Sequence, residues 1–209
     1  MLKTDGNCYA CGITAGKTAM KNHVVKEHIN KGDQECYLLR IEGAYAKECW
    51  LYVDVAKDKG LSTLDTFLRK IWLECCGHLS KFSTSKSRKI GSLEIGDQIL
   101  HEYDYVSTTE CLITVVGESR RPKQRDAVRL LARNVPIAVK CTTCNQPATI
   151  ICHECMWEGE DGVYCDSCYE QHHHDDVSVP ITNSPRCGEC GYDGELDVFE
   201  FDPEKFVDL

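Results

Sequence analysis

Long apolar runs are missing from this chain of 209 residues. No stretch approaches the roughly 20 residues that a membrane-crossing helix needs, and the N-terminus lacks the charged-then-apolar pattern of an export signal. These absences predict a cytoplasmic chain whose thiols are kept reduced. Low-complexity tracts are absent too, and 42% apolar against 27% charged residues is the composition of a folded, soluble protein. No glycine loop suited to cradling phosphate stands out, and neither does a pair of catalytic carboxylates. What the chain has in quantity is cysteine, 15 residues, beside 8 histidines. In a reducing compartment such a density points to metal ligands rather than a disulfide framework.

The spacing sharpens that reading. From Cys141 to His174 the chain runs C-x2-C-x7-C-x2-C-x9-C-x2-C-x3-H-x-H, eight soft ligands and enough for two tetrahedral zinc ions. Two thiolates two residues apart sit on a tight turn facing one ion, and a second pair must arrive from elsewhere. Adjacent pairs would give two sites in series. Alternate pairs would interlock the chain as a cross-brace, with Cys141, Cys144, Cys165 and Cys168 on one ion and Cys152, Cys155, His172 and His174 on the other. In pair spacing and terminal histidines the segment resembles the B-box class of cross-brace modules, which favours the interlocked arrangement. The H-x-H end is shorter than that class shows, so His173, Asp175 and Asp176 stand as substitutes for the fourth ligand. Four protein ligands per ion leave no position for water, which makes the expected role structural.

A second signal opens the chain. Cys8-x2-Cys11 is followed after eleven residues by His23-x4-His28, close to zinc-finger spacing, with Gly12 suited to the knuckle. Three zinc ions in all are expected. A unit of about thirty residues buries too little surface to fold alone, and in zinc-finger peptides the metal supplies on the order of 10–16 kcal/mol. Lys17, Lys21 and Lys26 could meet phosphates, while single fingers of this type often contact protein instead.

Charge is unevenly placed. Residues 1–36 carry about +1, 37–118 about −2, 119–140 about +6 and 141–209 about −14. The acidic C-terminal module, made more so by bound thiolates, repels phosphate backbones and suits a protein partner. In the basic segment Arg121, Arg125, Arg129 and Arg133 recur every four residues, so a helix after Pro122 would align them into a stripe. Such a stripe binds nucleic acid or an acidic partner, or pairs in cis with the acidic module.

The middle region supplies the core. YLLRIEG and CWLYVDV read as a hairpin turned by AYAKE. STLDTFLRKIWLECCGHL has a 3.6-residue apolar period through Leu64, Phe67, Leu68, Ile71, Trp72 and Cys75, with Ser62 or Thr63 as N-cap and Gly77 near its end. QILHEYDYV and ECLITVVGE read as two more strands. This order predicts an α+β fold, a small sheet with a packed amphipathic helix, flanked by two small zinc modules. The domains would be a CCHH finger over 1–36, the core over 37–118, a basic helix or linker over 119–140, and the acidic cross-brace module with its tail over 141–209.

The run LDTFLRKIWLECCGHLSKF, then GDQILHEYDYVSTTECLITVVGE, then a zinc segment ending in NSPRCGECGY, resembles the plasmid Ri-type ORF-3-like family, which includes passenger proteins of some insertion elements. The likeness covers most of residues 37–192. It implies a compact α+β domain and a loose association with mobile elements, and supplies no reaction. Where that family's tail often has an apolar residue and a single cysteine, this chain has Cys187-x2-Cys190, which could bind another ion with two outside ligands but is read in preference as free thiols or a minor support.

An enzymatic site in the core would draw on His78, His101, Asp104, Ser107, Thr108 and Thr109, but a histidine at a helix end more often caps it. Cys75 and Cys76 read as core packing, and Asp54, Asp58, Lys57 and Lys59 as a solvated loop. The expected protein is a non-enzymatic zinc adaptor with a protein partner. The alternative is a nucleic-acid binder using the finger and the arginine stripe.

Overall fold

Strands β3 (Gln34–Gly43) and β4 (Trp50–Ala56) carry the two central apolar runs and pair antiparallel, from Cys36 opposite Ala56 to Glu42 opposite Trp50. Side chains alternate across a strand, and here both faces are apolar. Leu39, Ile41, Leu51, Val53 and Val55 are buried on one side, and Leu38, Trp50 and Tyr52 on the other. Such strands must be covered twice. The computed structural model, which describes residues 4–123, 125–174 and 177–206, provides both covers.

Helix α2 (Leu61–Leu68) lies on the first face and opens into a wider π turn over Arg69–Leu73, packing Leu61, Leu64, Phe67, Leu68, Ile71 and Trp72 against the sheet. Its N-cap is Gly60, not Ser62 or Thr63, and no side chain caps it. None is needed, because the free amides of Leu61 and Ser62 donate to the carbonyls of Arg88 and Lys86 at 3.0 and 2.9 Å.

The second face is covered by the N-terminal segment. It consists of β1 (Asp5–Cys8), β2 (Thr14–Gly16) and α1 (Lys17–Glu27), and β1 pairs with β8 (Val128–Asn134). Met20 and Val24 of α1 pack on Leu38, Trp50, Tyr52 and Leu131. With only these two helix residues buried, α1 has too little apolar surface of its own and uses the sheet as its floor. Gly6 allows the approach: a Cβ there would lie 2.3 Å from the Trp50 ring.

With β5 (Ser80–Phe82), β6 (Gln98–Tyr103) and β7 (Thr109–Arg121) the sheet has eight strands in the order β2-β1-β8-β4-β3-β7-β6-β5, antiparallel throughout. The expectation of a small sheet is therefore corrected: the sheet is large, and β1 and β2 of the expected finger are two of its strands. The expected basic helix over 119–140 is corrected as well. β7 runs on to Arg121, and Val128–Asn134 forms β8.

The C-terminal module is a three-stranded sheet, order β10-β9-β11, from β9 (Ile150–Cys152), β10 (Val163–Tyr164) and β11 (Ser178–Pro180), with short helices α3 (His153–Trp157) and α4 (Asp166–Tyr169). The tail then returns to the large sheet. The Asn183 and Asn134 side chains bond to one another at 2.7 Å, Phe199 meets Phe67 edge-on, and Phe206 lies against Gly12. Among the described residues no helix is long and apolar enough to cross a membrane.

Candidate metal centres

Among the described residues, four groups of cysteine and histidine place one donor atom per residue within 4.8 Å of one another, and all 15 cysteines are free of disulfides. A tetrahedron built on zinc bond lengths has edges of about 3.8 Å between sulfurs, about 3.6 Å between sulfur and nitrogen and about 3.4 Å between nitrogens. The donor pairs can be held to that standard.

The first group is Cys8, Cys11, His23 and His28. Cys8 ends β1 and Cys11 sits in the knuckle closed by the Gly12 amide donating to the Cys8 carbonyl at 2.9 Å; Gly12 holds φ 77 there. His23 projects from α1, and His28 just beyond it ends the helix. The Cys11 sulfur is 3.1 Å from His23 Nε2 and 3.3 Å from His28 Nε2, and the two nitrogens are 3.0 Å apart. The site is tied to the sheet, for Arg129 reaches both the His28 carbonyl at 3.5 Å and the buried Asp54.

In the C-terminal module Cys141 and Cys144 meet Cys165 and Cys168, while Cys152 and Cys155 meet His172 and His174. This is the interlocked pairing rather than the serial one. The Cys144 and Cys165 sulfurs are 3.6 Å apart, and Asn145 closes the first knuckle by donating its amide to the Cys141 carbonyl at 2.9 Å. In the other group Cys155 Sγ lies 3.2 Å from His172 Nε2 and 3.5 Å from His174 Nδ1. The short H-x-H end works because the two rings present different nitrogens, so one long and one short reach converge on the same point. His173 is outside the group; Asp175 and Asp176 lie outside the described residues. Around the ligands, the Tyr164 hydroxyl is 3.4 Å from Cys155 Sγ and the Tyr169 hydroxyl donates to the His174 carbonyl at 2.6 Å. Such outer contacts fix ligand orientation.

The donor edges quoted for these three groups, 3.0–3.6 Å, fit zinc. Their electrostatics fit a cation as well. Burial pushes the Cys8 thiol up to about 11, and hydrogen bonds from Cys144 and Cys165 push Cys168 up to about 12. Burial opposes ionisation of Cys141 too, but backbone amides of Cys165, Cys144 and Thr143 outweigh it and hold that thiol near 6. Protons crowded among facing sulfurs are what a divalent ion displaces.

The fourth group is Cys75, Cys76, His78 and Cys190; sequence reasoning raised a further ion at the Cys187/Cys190 pair but did not name its partners, and left the pair out of the ligand sets. Cys75 is half-buried against the core, in keeping with the core-packing reading, but Cys76 is exposed, and both lie past the end of the π turn. Cys187 stays outside the group and accepts the Thr182 amide at 3.2 Å. The signal available was the C-C-G-H string together with a second, unassigned C-x2-C.

The candidate cations are dispersed. Asp54, expected in a solvated loop, is fully buried on β4, directly opposite Arg129 of β8, and pairs with Arg129 and with the fully buried Arg121 at 2.8 Å. Arg133 is held by Asp197 at 2.6 Å and by the Asn183 carbonyl at 2.7 Å. Arg125 alone of the four is exposed, in the turn between β7 and β8. Lys17 is bound to Glu42 and the Lys47 carbonyl, Lys21 is half-buried, and Lys26 is exposed and pairs with Glu27 at 2.9 Å.

The residues considered for catalysis also divide. His101 is fully buried and bonds Asp65 at 2.7 Å, within a network that includes Ser80, Lys86 and Arg69. Asp104, Thr109 and the Ser107 carbonyl converge instead on the buried Arg186, whose guanidinium fills the space between them. Thr108 makes no part of either arrangement.

No family model matches the chain, and no curated protein matches it. Among solved structures it is similar to a protein of unknown function from Methanosarcina mazei Go1, at 12% identity and a TM-score of 0.43, over 48% of this chain and 69% of that one.

Proposed function

We propose that this protein is a non-enzymatic, cytoplasmic zinc adaptor of the ORF-3-like kind, serving a mobile element or its regulation, and that it binds a protein partner through the acidic cross-brace module. The observation carrying this reading is the surface of α3. Trp157 is 76% exposed and Met156 46% exposed, and Glu154, Glu158, Glu160 and Asp161 surround them in sequence. An exposed tryptophan on a small metal-stiffened helix is the kind of anchor that fills a partner's pocket, and the acidic rim selects a basic surface around it. Closed ligand sets, four protein donors per ion, favour a structural task for the metal over hydrolysis.

The nucleic-acid alternative draws less support, because Arg121, Arg129 and Arg133 are engaged within the molecule. The test is affinity purification of the intact protein from its host, with nuclease treatment and with protein and nucleic acid recovered separately. The adaptor reading expects a protein retained after nuclease and lost on Trp157→Ala. Recovery of nucleic acid with a steep, log-linear loss on raising salt would replace it with the alternative.

A further inference from the structure

Cys75, Cys76 and His78 follow the π turn that ends α2, and Cys190 arrives 114 residues after Cys76 from the tail. We propose that these four residues form a further zinc site, of three thiolates and one imidazole, whose ion fastens the tail to the core. The proposal rests on the zinc reading of the other groups only for the identity of the ion.

The donors converge as a ligand set does. Cys76 Sγ is 2.9 Å from His78 Nε2, 3.7 Å from Cys75 Sγ and 3.7 Å from Cys190 Sγ, and Cys190 Sγ is 3.5 Å from His78 Nε2. Packing does not account for the convergence. Cys76 and Cys190 are exposed, so no apolar burial holds their sulfurs inward. The backbone is bent to bring them there: Gly77 takes φ 77 and Gly188 φ 81, and Cys190 itself is in the left-handed region at φ 52, which is costly for a residue with a side chain. A bound ion is a physical reason for two chain segments to adopt those turns face to face.

The surroundings are arranged for charge. Three thiolates and a divalent ion leave one net negative charge, and the fully buried Arg186 sits beside it, donating to Cys75 Sγ at 3.5 Å. The same guanidinium is fixed by Asp104 at 2.9 Å, Thr109 at 3.0 Å and the Ser107 carbonyl at 3.0 Å. Asp104 Oδ2 lies 3.5 Å from His78 Nε2, and the Tyr103 hydroxyl 4.0 Å from Cys75 Sγ. Glu74 accepts the Gly77 amide at 2.6 Å and so fixes the turn between Cys76 and His78. The contacts to Cys75 and to the Gly77 turn hold the ligands from outside the site, as outer contacts at metal sites do, while Asp104 meets His78 at the same Nε2 that faces the sulfurs.

The consequence is mechanical. The tail leaves Cys190, crosses to Phe67 through Phe199, and brings Phe206 against the knuckle of the N-terminal site. The ion would pin the start of a strap whose far end touches another metal centre.

Native mass spectrometry of the full-length, zinc-loaded protein tests this, with Cys190→Ser and, as a control on a thiol outside the group, Cys187→Ser. The expected result is four zinc ions in the intact protein and in Cys187→Ser, and three in Cys190→Ser, matching the count of donor groups. A folded Cys190→Ser protein should also become cleavable by protease beyond residue 190 while its sheet keeps its amide protection. Should Cys190→Ser fail to fold, cobalt substitution of the intact protein decides: thiol alkylation mapped by mass should find Cys75, Cys76 and Cys190 all protected, and released together by chelator. Three ions in the intact protein would overturn the proposal while leaving the other sites standing. Four ions retained in Cys190→Ser, or a disulfide joining Cys76 to Cys190, would overturn it as well.

Discussion

The eight-stranded sheet and the cross-brace module are held together by different physics. The sheet buries large side chains on two faces, with Trp50, Trp72, Leu38, Leu39, Ile41 and Leu51 among those fully enclosed. Among its described residues the module encloses little besides Ile151, Tyr164, Cys141, Cys152 and Cys155. Apolar burial contributes roughly 1.5–3 kcal/mol for each enclosed large side chain, whereas a structural zinc contributes on the order of 10–16 kcal/mol at a single point. On the zinc reading proposed above, one region is stable by accumulation and the other by a few bonds. The N-terminal segment belongs to both, since its helix rests on the sheet while its ends are gathered by Cys8, Cys11, His23 and His28.

The strongest way to break the comparison is chelation. Strong chelator should abolish amide protection across residues 141–180 and leave β3, β4 and β7 protected; hydrogen exchange read by mass spectrometry checks it, and equal loss in both regions would refute the division. Next comes the sheet's own weak point. Asp54→Ala leaves Arg121 charged and fully buried without its partner, and should cost about 3–5 kcal/mol in denaturant unfolding. Zinc content should be unchanged. Met20→Ala removes one of the two buried α1 side chains that pack on the sheet and should cost about 2–5 kcal/mol in denaturant unfolding; a loss under about 0.5 kcal/mol would mean this contact does not hold the helix.

Acid sharpens the contrast further. Burial works against the charge on Asp65, but hydrogen bonds from His101 and Ser80 outweigh it and hold the carboxyl well below the usual range. A depressed carboxyl stabilises the fold fully above its unfolded value of about 3.9, and that stabilisation is lost as pH falls further. The cysteine sites fail earlier. Thiols such as Cys8 and Cys168, pushed up to about 11 and about 12, carry protons at neutral pH that zinc must displace, so binding releases protons and weakens as pH falls. The module should therefore unfold at a higher pH than the sheet, with zinc release measured against circular dichroism. Asp65→Asn should shift only the sheet's transition. The smallest effect is Trp157→Ala, which should change stability by no more than about 0.5 kcal/mol while removing partner retention.

The candidate ligands of the first three groups were legible because C-x2-C and H-x-H are local statements. Their interlocking was legible only through likeness to known cross-brace modules. The fourth group was not, since no spacing rule links Cys76 to a cysteine 114 residues away. The basic segment misled for a specific reason. Arginines at intervals of four suit a helix, but β8 contains an irregularity in its pairing with β4 between Tyr52 and Val53. That extra residue reverses the alternation, so Arg129 faces Asp54 on the finger side while Arg133, opposite Leu51, faces the tail. Asp54 was misread with it: an aspartate in an apolar strand looks like the strand's end until Arg129 of the adjacent β8 and Arg121 of β7, one strand beyond β3, supply the opposite charge. α2 and the strands around it were plain in the sequence, because their periods of 3.6 and 2 are set by burial that the structure does provide.

Because β1 pairs with β8, the knuckle at Cys8 and Cys11 is also the clasp that keeps β8 from being an outermost strand. Were zinc withdrawn and the N-terminal segment released, β8 would present a row of unpaired amides and carbonyls next to exposed Trp50 and Tyr52, the kind of border along which chains add to one another. Metal starvation would then threaten this protein less through lost activity than through self-association.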